Sequence, residues 1–117
     1  MARSLRFPRR WLSRLPAPPA PLHQVQALVR VPGLDAIAIA KALDSGADGV
    51  LVPHVSTGDQ ARDVVRAARF APDGRRGAGP GRNSAYGRDI LVSVERARRE
   101  TMVAIQLETV EALANLP

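Results

Sequence analysis

The chain has 117 residues, 45% of them hydrophobic and 3% aromatic, which suits one modest domain built from Ala, Val, Leu and Ile. It contains no cysteine, which excludes disulfides and thiolate metal sites, and no apolar run is long enough to span a bilayer. The net charge is +6. We therefore expect a cytoplasmic protein with no membrane contact.

The positive charge is concentrated at the N-terminus. Residues 1–21 hold five of the 17 basic residues and no acidic one, so the rest of the chain is nearly neutral. Several prolines in this segment break any helix it could form. We predict a disordered leader over residues 1–22 and a folded domain over residues 23–117. A basic tail with Phe7 or Trp11 stacking on bases is a weaker alternative, because no nucleic-acid recognition module follows.

The first half of the body alternates strand and helix patterns. Residues 24–31 are rich in β-branched side chains and precede a Pro-Gly turn signal, which predicts a strand. A helix over residues 36–45 is predicted to begin at Asp35 as N-cap and to end before Gly46. Residues 49–53 form a short apolar run between turn residues, which predicts a buried strand.

The second half continues the same alternation. Ser56 and Asp59 resemble a capping box for a helix over residues 58–70. In that helix four apolar residues recur at helical spacing: Ala61, Val64, Val65 and Ala68.

A loop rich in Gly and Pro follows at residues 71–87. It lacks the residue order of a phosphate-binding loop, so we interpret it as a mobile loop over a ligand site. Asp89 is predicted to cap a helix over residues 90–100. A strand at 102–107 comes next, and Thr109 is predicted to cap the last helix.

Three buried strands, each followed by a helix, predict an α/β domain with a parallel sheet. In such sheets functional groups gather at the carboxyl ends of the strands. This rule selects Arg30 after the first strand, His54 after the second, and Gln106 with Glu108 after the third.

Each of these residues also has a purely structural interpretation. Arg30 could be a surface ion-pair partner, His54 a loop hydrogen-bonding residue, and Glu108 an acid at a helix N-terminus. Together at one sheet edge they suit a ligand: a guanidinium can hold a carboxylate, and a carboxylate beside an amide suits a hard divalent cation.

Four motifs carry a resemblance to a known family: V-R-V-P, G-A-D-G-V-x-V-P, A-R-x-x-P-x-G-x-R-G and Q-x-E-T, in that order. On these motifs the chain resembles the HpcH/HpaI aldolase/citrate lyase family over roughly residues 24–116. The resemblance implies a (β/α)₈ TIM barrel in which Mg or Mn binds pyruvate or a related 2-oxo acid and stabilises its enolate, and an aldehyde is the second substrate.

The resemblance also assigns roles to individual residues. Arg30 matches the arginine that contacts the keto-acid oxygens, which gives it catalytic and substrate-binding roles. Gln106 matches a substrate-binding glutamine, and Glu108 matches a metal ligand. His54 occupies a variable position in the family and receives no catalytic role.

The chain departs from the family pattern at both ends. The second metal carboxylate, in a G-P-A-D-like turn, would follow the last residue, and the segment that usually holds a catalytic histidine is replaced by the leader. His23 is too close to Arg30 to be its equivalent. We therefore expect an incomplete barrel of about three βα units, with at most weak aldolase activity alone.

Two functional interpretations remain open from the sequence. The chain is either a fragment of a metal-dependent carbon–carbon lyase or a non-catalytic remnant or partner subunit of the same fold. A free-acid aldolase is favoured over a CoA-thioester lyase relative by the Q-x-E-T motif and the glycine-rich loop. A homo-oligomer is expected if the full barrel is formed.

Overall fold

The structure is a computed structural model that describes residues 25–117. The predicted leader at 1–22 and His23 lie outside the described residues. Strands and helices alternate in the predicted order, with a short 3₁₀ segment at Arg82–Gly87. The elements are β1 (Leu28–Arg30), α1 (Ala36–Asp44), β2 (Gly49–Val52), α2 (Gly58–Ala68), α3 (Ile90–Glu100), β3 (Met102–Ile105) and α4 (Val110–Ala114).

The three strands form one parallel sheet in the order β1-β2-β3. The register aligns Arg30 with Leu51, and Leu51 with Ala104. Strand β1 is shorter than the predicted 24–31, because its pairing with β2 begins at Leu28. All three strands therefore end at the same edge of the sheet.

Helices α1 and α2 cover one face of this sheet. Val50 and Val52 point into that face and are completely buried, and the residues that pack with them are Val31, Ile39, Leu43, Val55, Val64 and Ala68. Burying each large aliphatic side chain contributes about 1.5–3 kcal/mol. Because side chains alternate along a strand, Arg30, Leu51 and Ala104 lie on the opposite face.

Most of the predicted helix ends are confirmed. The Asp35 side chain accepts from the Ile37 N–H at 2.8 Å, and Thr109 accepts from the Ala112 N–H at 3.0 Å. Gly46 follows α1 with φ of +102°, the left-handed conformation expected of a terminating glycine.

Two details of the predicted helix starts are wrong. Helix α2 is capped by Thr57, which forms a capping box with Gln60, rather than by Ser56 with Asp59. Asp89 precedes α3, but its side chain forms no capping hydrogen bond.

One of the four apolar residues that recur along α2 does not face the sheet. Val65 is exposed, because Val64 and Ala68 already face the sheet and the adjacent position is rotated away from it.

The glycine-rich loop lies at the amino edge of the sheet, so its predicted position over the ligand site is wrong. Arg76 anchors it there: the guanidinium donates to the Asp44 carboxylate at 2.7 Å and stacks 4.4 Å from the centre of the Phe70 ring. Asp44 ends α1, just before β2 begins at Gly49. The Arg76 side chain is only 2% exposed, so this residue fixes the loop to the packed part of the domain.

No helix within residues 25–117 is long and apolar enough to cross a membrane.

Candidate functional site

Arg30 and Gln106, which are 76 positions apart in sequence, meet at the carboxyl edge of the sheet. The Arg30 Nε–H donates to the Gln106 side-chain oxygen at 2.8 Å. Arg30 is level with Ala104, and Gln106 lies two residues beyond it, so both project from the face that the helices leave open. The bond uses Nε, and a guanidinium carries four further N–H donors that can hold a carboxylate.

Glu108 lies at the same edge, where it contacts His54 from the end of β2. The His54 backbone N–H donates to Glu108 Oε1 at 3.0 Å. The His54 Nδ1 atom is 3.5 Å from the same oxygen, on a side chain that is 69% exposed. The Glu108 side chain is 35% exposed, so water and small ligands reach it. The structure thus brings all four predicted residues to the carboxyl edge of the sheet.

Further hydrogen bonds join the loop after β2 to the loop after β3. The Val55 N–H donates to the Gln106 carbonyl at 3.3 Å, and the Ser56 and Thr109 hydroxyls are 2.6 Å apart. The Asn115 side chain donates to the Ser56 carbonyl at 2.8 Å, which connects α4 to the same loop. These bonds fix the separation of the loops that carry His54 and Glu108.

The oxygen ligands at this edge could supply part of the coordination of a hard divalent cation. Glu108 supplies a carboxylate, and such cations bind one or two protein carboxylates together with water and substrate oxygens. Within residues 25–117, no group of three His, Asp or Glu side chains could hold a metal by itself. A metal at Glu108 would therefore depend on oxygen ligands from water, from a bound acid or from another carboxylate.

A cavity of about 150 Å³ lies at the other edge of the sheet, between the C-terminal end of α1, the 3₁₀ segment and α3. Its wall includes Ala27 and Asp48, which precede the strands, and the anchored Arg76. Neither Arg30 nor Glu108 lines it. We assign the candidate site to the carboxyl edge, because the charged and amide groups suited to a small acid converge there.

Comparison with known proteins decides the family. The family model for HpcH/HpaI aldolase/citrate lyase matches residues 10–117, so the match begins within the predicted leader. The chain belongs to this family. Its relatives include the 4-hydroxy-2-oxovalerate aldolase of Rhodococcus jostii, 46% identical over 90 residues that cover 77% of this chain and 34% of that protein. The hydroxypyruvate/pyruvate aldolase of Sagittula stellata is 42% identical over 95 residues, covering 80% of this chain and 37% of that protein.

Solved structures of this HpcH/HpaI family agree with the fold. A family protein from Burkholderia cenocepacia superposes with a TM-score of 0.68 at 35% identity, covering 75% of this chain and 36% of that one. The chain thus spans about a third of the length of the relatives it matches. The predicted fold is confirmed: residues 25–117 form consecutive βα units of the family's TIM barrel, with a three-stranded parallel sheet.

The contact between His54 and Glu108 is the part of the candidate site that the sequence did not predict. The sequence marked His54 by its position after a strand, but gave it no role. The missing information is the backbone conformation of His54, whose φ is +55°. His is enriched in this left-handed region, but one such residue gives too weak a signal to predict the contact.

Proposed function

We propose that this chain contributes the 2-oxo acid and metal-binding part of an aldolase that makes or breaks a carbon–carbon bond. The observation that carries the proposal is the hydrogen bond between Arg30 and Gln106 at the edge where Glu108 lies. Two relatives named for aldol chemistry on oxo acids support the substrate class. The second substrate in this proposal is an aldehyde.

The proposed roles follow from the chemistry of each group. Glu108 is a ligand of a divalent cation, Mg or Mn, which when bound supplies Lewis-acid stabilisation of enolate charge. Arg30 holds the oxygens of the 2-oxo acid with the N–H groups that its bond to Gln106 leaves available, and stabilises negative charge developing there. Gln106 orients the Arg30 guanidinium and lies beside the bound acid. The edge-facing loops hold these three side chains in one place.

Titration of the purified chain with Mn²⁺ and pyruvate tests the proposal, with bound metal measured by electron paramagnetic resonance and pyruvate binding by calorimetry. We expect Glu108→Ala to abolish Mn²⁺ binding. We expect Arg30→Ala to retain Mn²⁺ but to bind pyruvate roughly tenfold or more weakly, since hydrogen bonds to charged groups are worth about 1.5–3 kcal/mol.

Two variants serve as matched controls. Glu111→Ala removes an exposed glutamate from the next helix, and Arg62→Ala removes an exposed arginine on α2. Both are expected to bind like the wild type. If Glu108→Ala binds Mn²⁺ as well as Glu111→Ala does, the proposed metal site is wrong and a non-catalytic role for the chain is favoured.

A further inference from the structure

His54 adopts a backbone conformation that side-chain-bearing residues rarely occupy. It lies directly after Pro53, at the carboxyl end of β2, with φ of +55°. A non-glycine residue in this left-handed region costs free energy and persists only where its surroundings enforce it. Such residues cluster at functional sites, so the contact that this conformation creates needs an explanation.

The surroundings of His54 enforce this conformation from both sides. Pro53 and Val55, its two neighbours, have side chains that are almost completely buried. The Val55 N–H bonds to the Gln106 carbonyl, and Ser56 bonds to Thr109. With the chain fixed before and after it, the His54 N–H is presented to Glu108 Oε1 at 3.0 Å.

We propose that His54 is a positioning residue for Glu108, and that its backbone N–H, rather than its imidazole, performs this role. The hydrogen bond holds Oε1 and thereby orients the second carboxylate oxygen, Oε2, towards a ligand. The imidazole is a poor candidate, because its Nδ1 lies 3.5 Å from Oε1, beyond a good hydrogen bond, and the side chain is 69% exposed. This inference deepens the proposed function, since it rests on Glu108 as a metal ligand.

A backbone ester at position 54 isolates this hydrogen bond. A semisynthetic chain carrying the α-hydroxy acid analogue of histidine there keeps the imidazole and replaces the N–H by oxygen. The matched control is the same ester at Tyr86, which has φ of +57° and whose N–H donates to the Gly81 carbonyl at 2.9 Å. His54→Gly is the complementary variant, because it keeps the N–H, removes the imidazole and tolerates a positive φ.

The proposal predicts that the ester at 54 binds Mn²⁺ roughly 10- to 100-fold more weakly than the wild type, as is typical when a group that orients a metal ligand is lost. The ester at Tyr86 and His54→Gly are expected to retain wild-type affinity. An ester at 54 that binds like the wild type overturns the proposal. A His54→Gly variant as weak as the ester also overturns it, because the imidazole would then carry the effect.

A second readout needs no metal and separates this inference from the proposed function. The ¹³C signal of the Glu108 side-chain carboxyl is expected to shift in the ester at 54 and to stay unchanged in the ester at Tyr86. If the wild type binds no Mn²⁺ but this signal shifts, the proposed metal site fails while the positioning contact is upheld. If the signal is the same in both esters, the positioning role is wrong whether or not Mn²⁺ binds.

Discussion

Removing the partner of the buried Arg76 should clearly destabilise this domain. The Arg76 side chain is 2% exposed, and its ion pair with Asp44 is 2.7 Å long. In Asp44→Ala the guanidinium stays buried without its counter-charge. Breaking a fully buried pair in this way costs about 3–5 kcal/mol; because the Asp44 side chain is 45% exposed, we take the low end of this range, about 3 kcal/mol. Removing an acid from the last turn of α1 relieves about 0.3–1 kcal/mol of unfavourable dipole interaction, and Ala gains up to about 0.7 kcal/mol in helix propensity. The net loss is therefore about 1–3 kcal/mol.

Urea unfolding followed by circular dichroism measures this loss directly. In a thermal scan it corresponds to a fall in Tm of about 5–20 °C. Asp63→Ala is the control, since Asp63 pairs with Arg66 at 3.3 Å and both side chains are more than half exposed; we expect that change to cost less than about 1 kcal/mol. The double variant Asp44→Ala/Arg76→Met should recover part of the loss, because it removes the unpaired buried charge. Equal stabilities of Asp44→Ala and Asp63→Ala would show that the Asp44–Arg76 pair contributes no more than an exposed pair does.

Two further predictions concern the amino edge of the sheet. Gly49→Ala should destabilise the domain by about 1–3 kcal/mol, because a Cβ at Gly49 would lie 2.5 Å from the Met102 carbonyl oxygen. The control is Gly77→Ala, whose Cβ would have no atom within 4 Å and which should change stability by less than about 0.5 kcal/mol. Similar urea midpoints for the two variants would show that the Gly49 Cβ meets no such clash. Burial raises the pKa of the Asp48 carboxyl, with the Ala27 N–H bond opposing that shift. The folded state therefore holds this proton more tightly than the unfolded chain, and the associated stability is lost as the pH rises through the folded pKa. Asp48→Asn cannot ionise, so in urea titrations its stability relative to the wild type should increase from about pH 3.5 to pH 7; a constant difference across that range would show that burial of the carboxyl has no such effect.

The fold and the position of the site could be predicted from the sequence because both depend on short-range patterns. Apolar runs bounded by turn residues located the three strands, and Asp35, Gly46 and Thr109 located helix ends through their own side-chain or backbone chemistry. The parallel topology then required Arg30 and Glu108 to share an edge. These steps need no knowledge of side-chain packing.

The remaining features depend on contacts that no local pattern contains. The glycine-rich loop was misplaced because its composition predicts flexibility, whereas the pairing of Arg76 with Asp44, 32 positions away, anchors it at the opposite edge. Ser56 was chosen as a helix cap because it is the right residue type, but its hydroxyl instead bonds to Thr109. The role of His54 depends on one dihedral angle set by its neighbours.

We propose that a cation and a 2-oxo acid bind at the carboxyl edge of the sheet, beside Glu108 and Arg30. The most direct test is paramagnetic broadening of amide NMR signals by Mn²⁺ in the presence of pyruvate. Strand β2 separates the two edges by about 10–13 Å, and the broadening falls steeply with distance. At substoichiometric Mn²⁺ we expect the His54 and Glu108 amides to broaden first, Gly49 and Met102 at the amino edge to broaden only at much higher Mn²⁺, and Glu108→Ala to abolish the effect. Broadening that starts at the amino edge, or that persists unchanged in Glu108→Ala, would contradict this proposal.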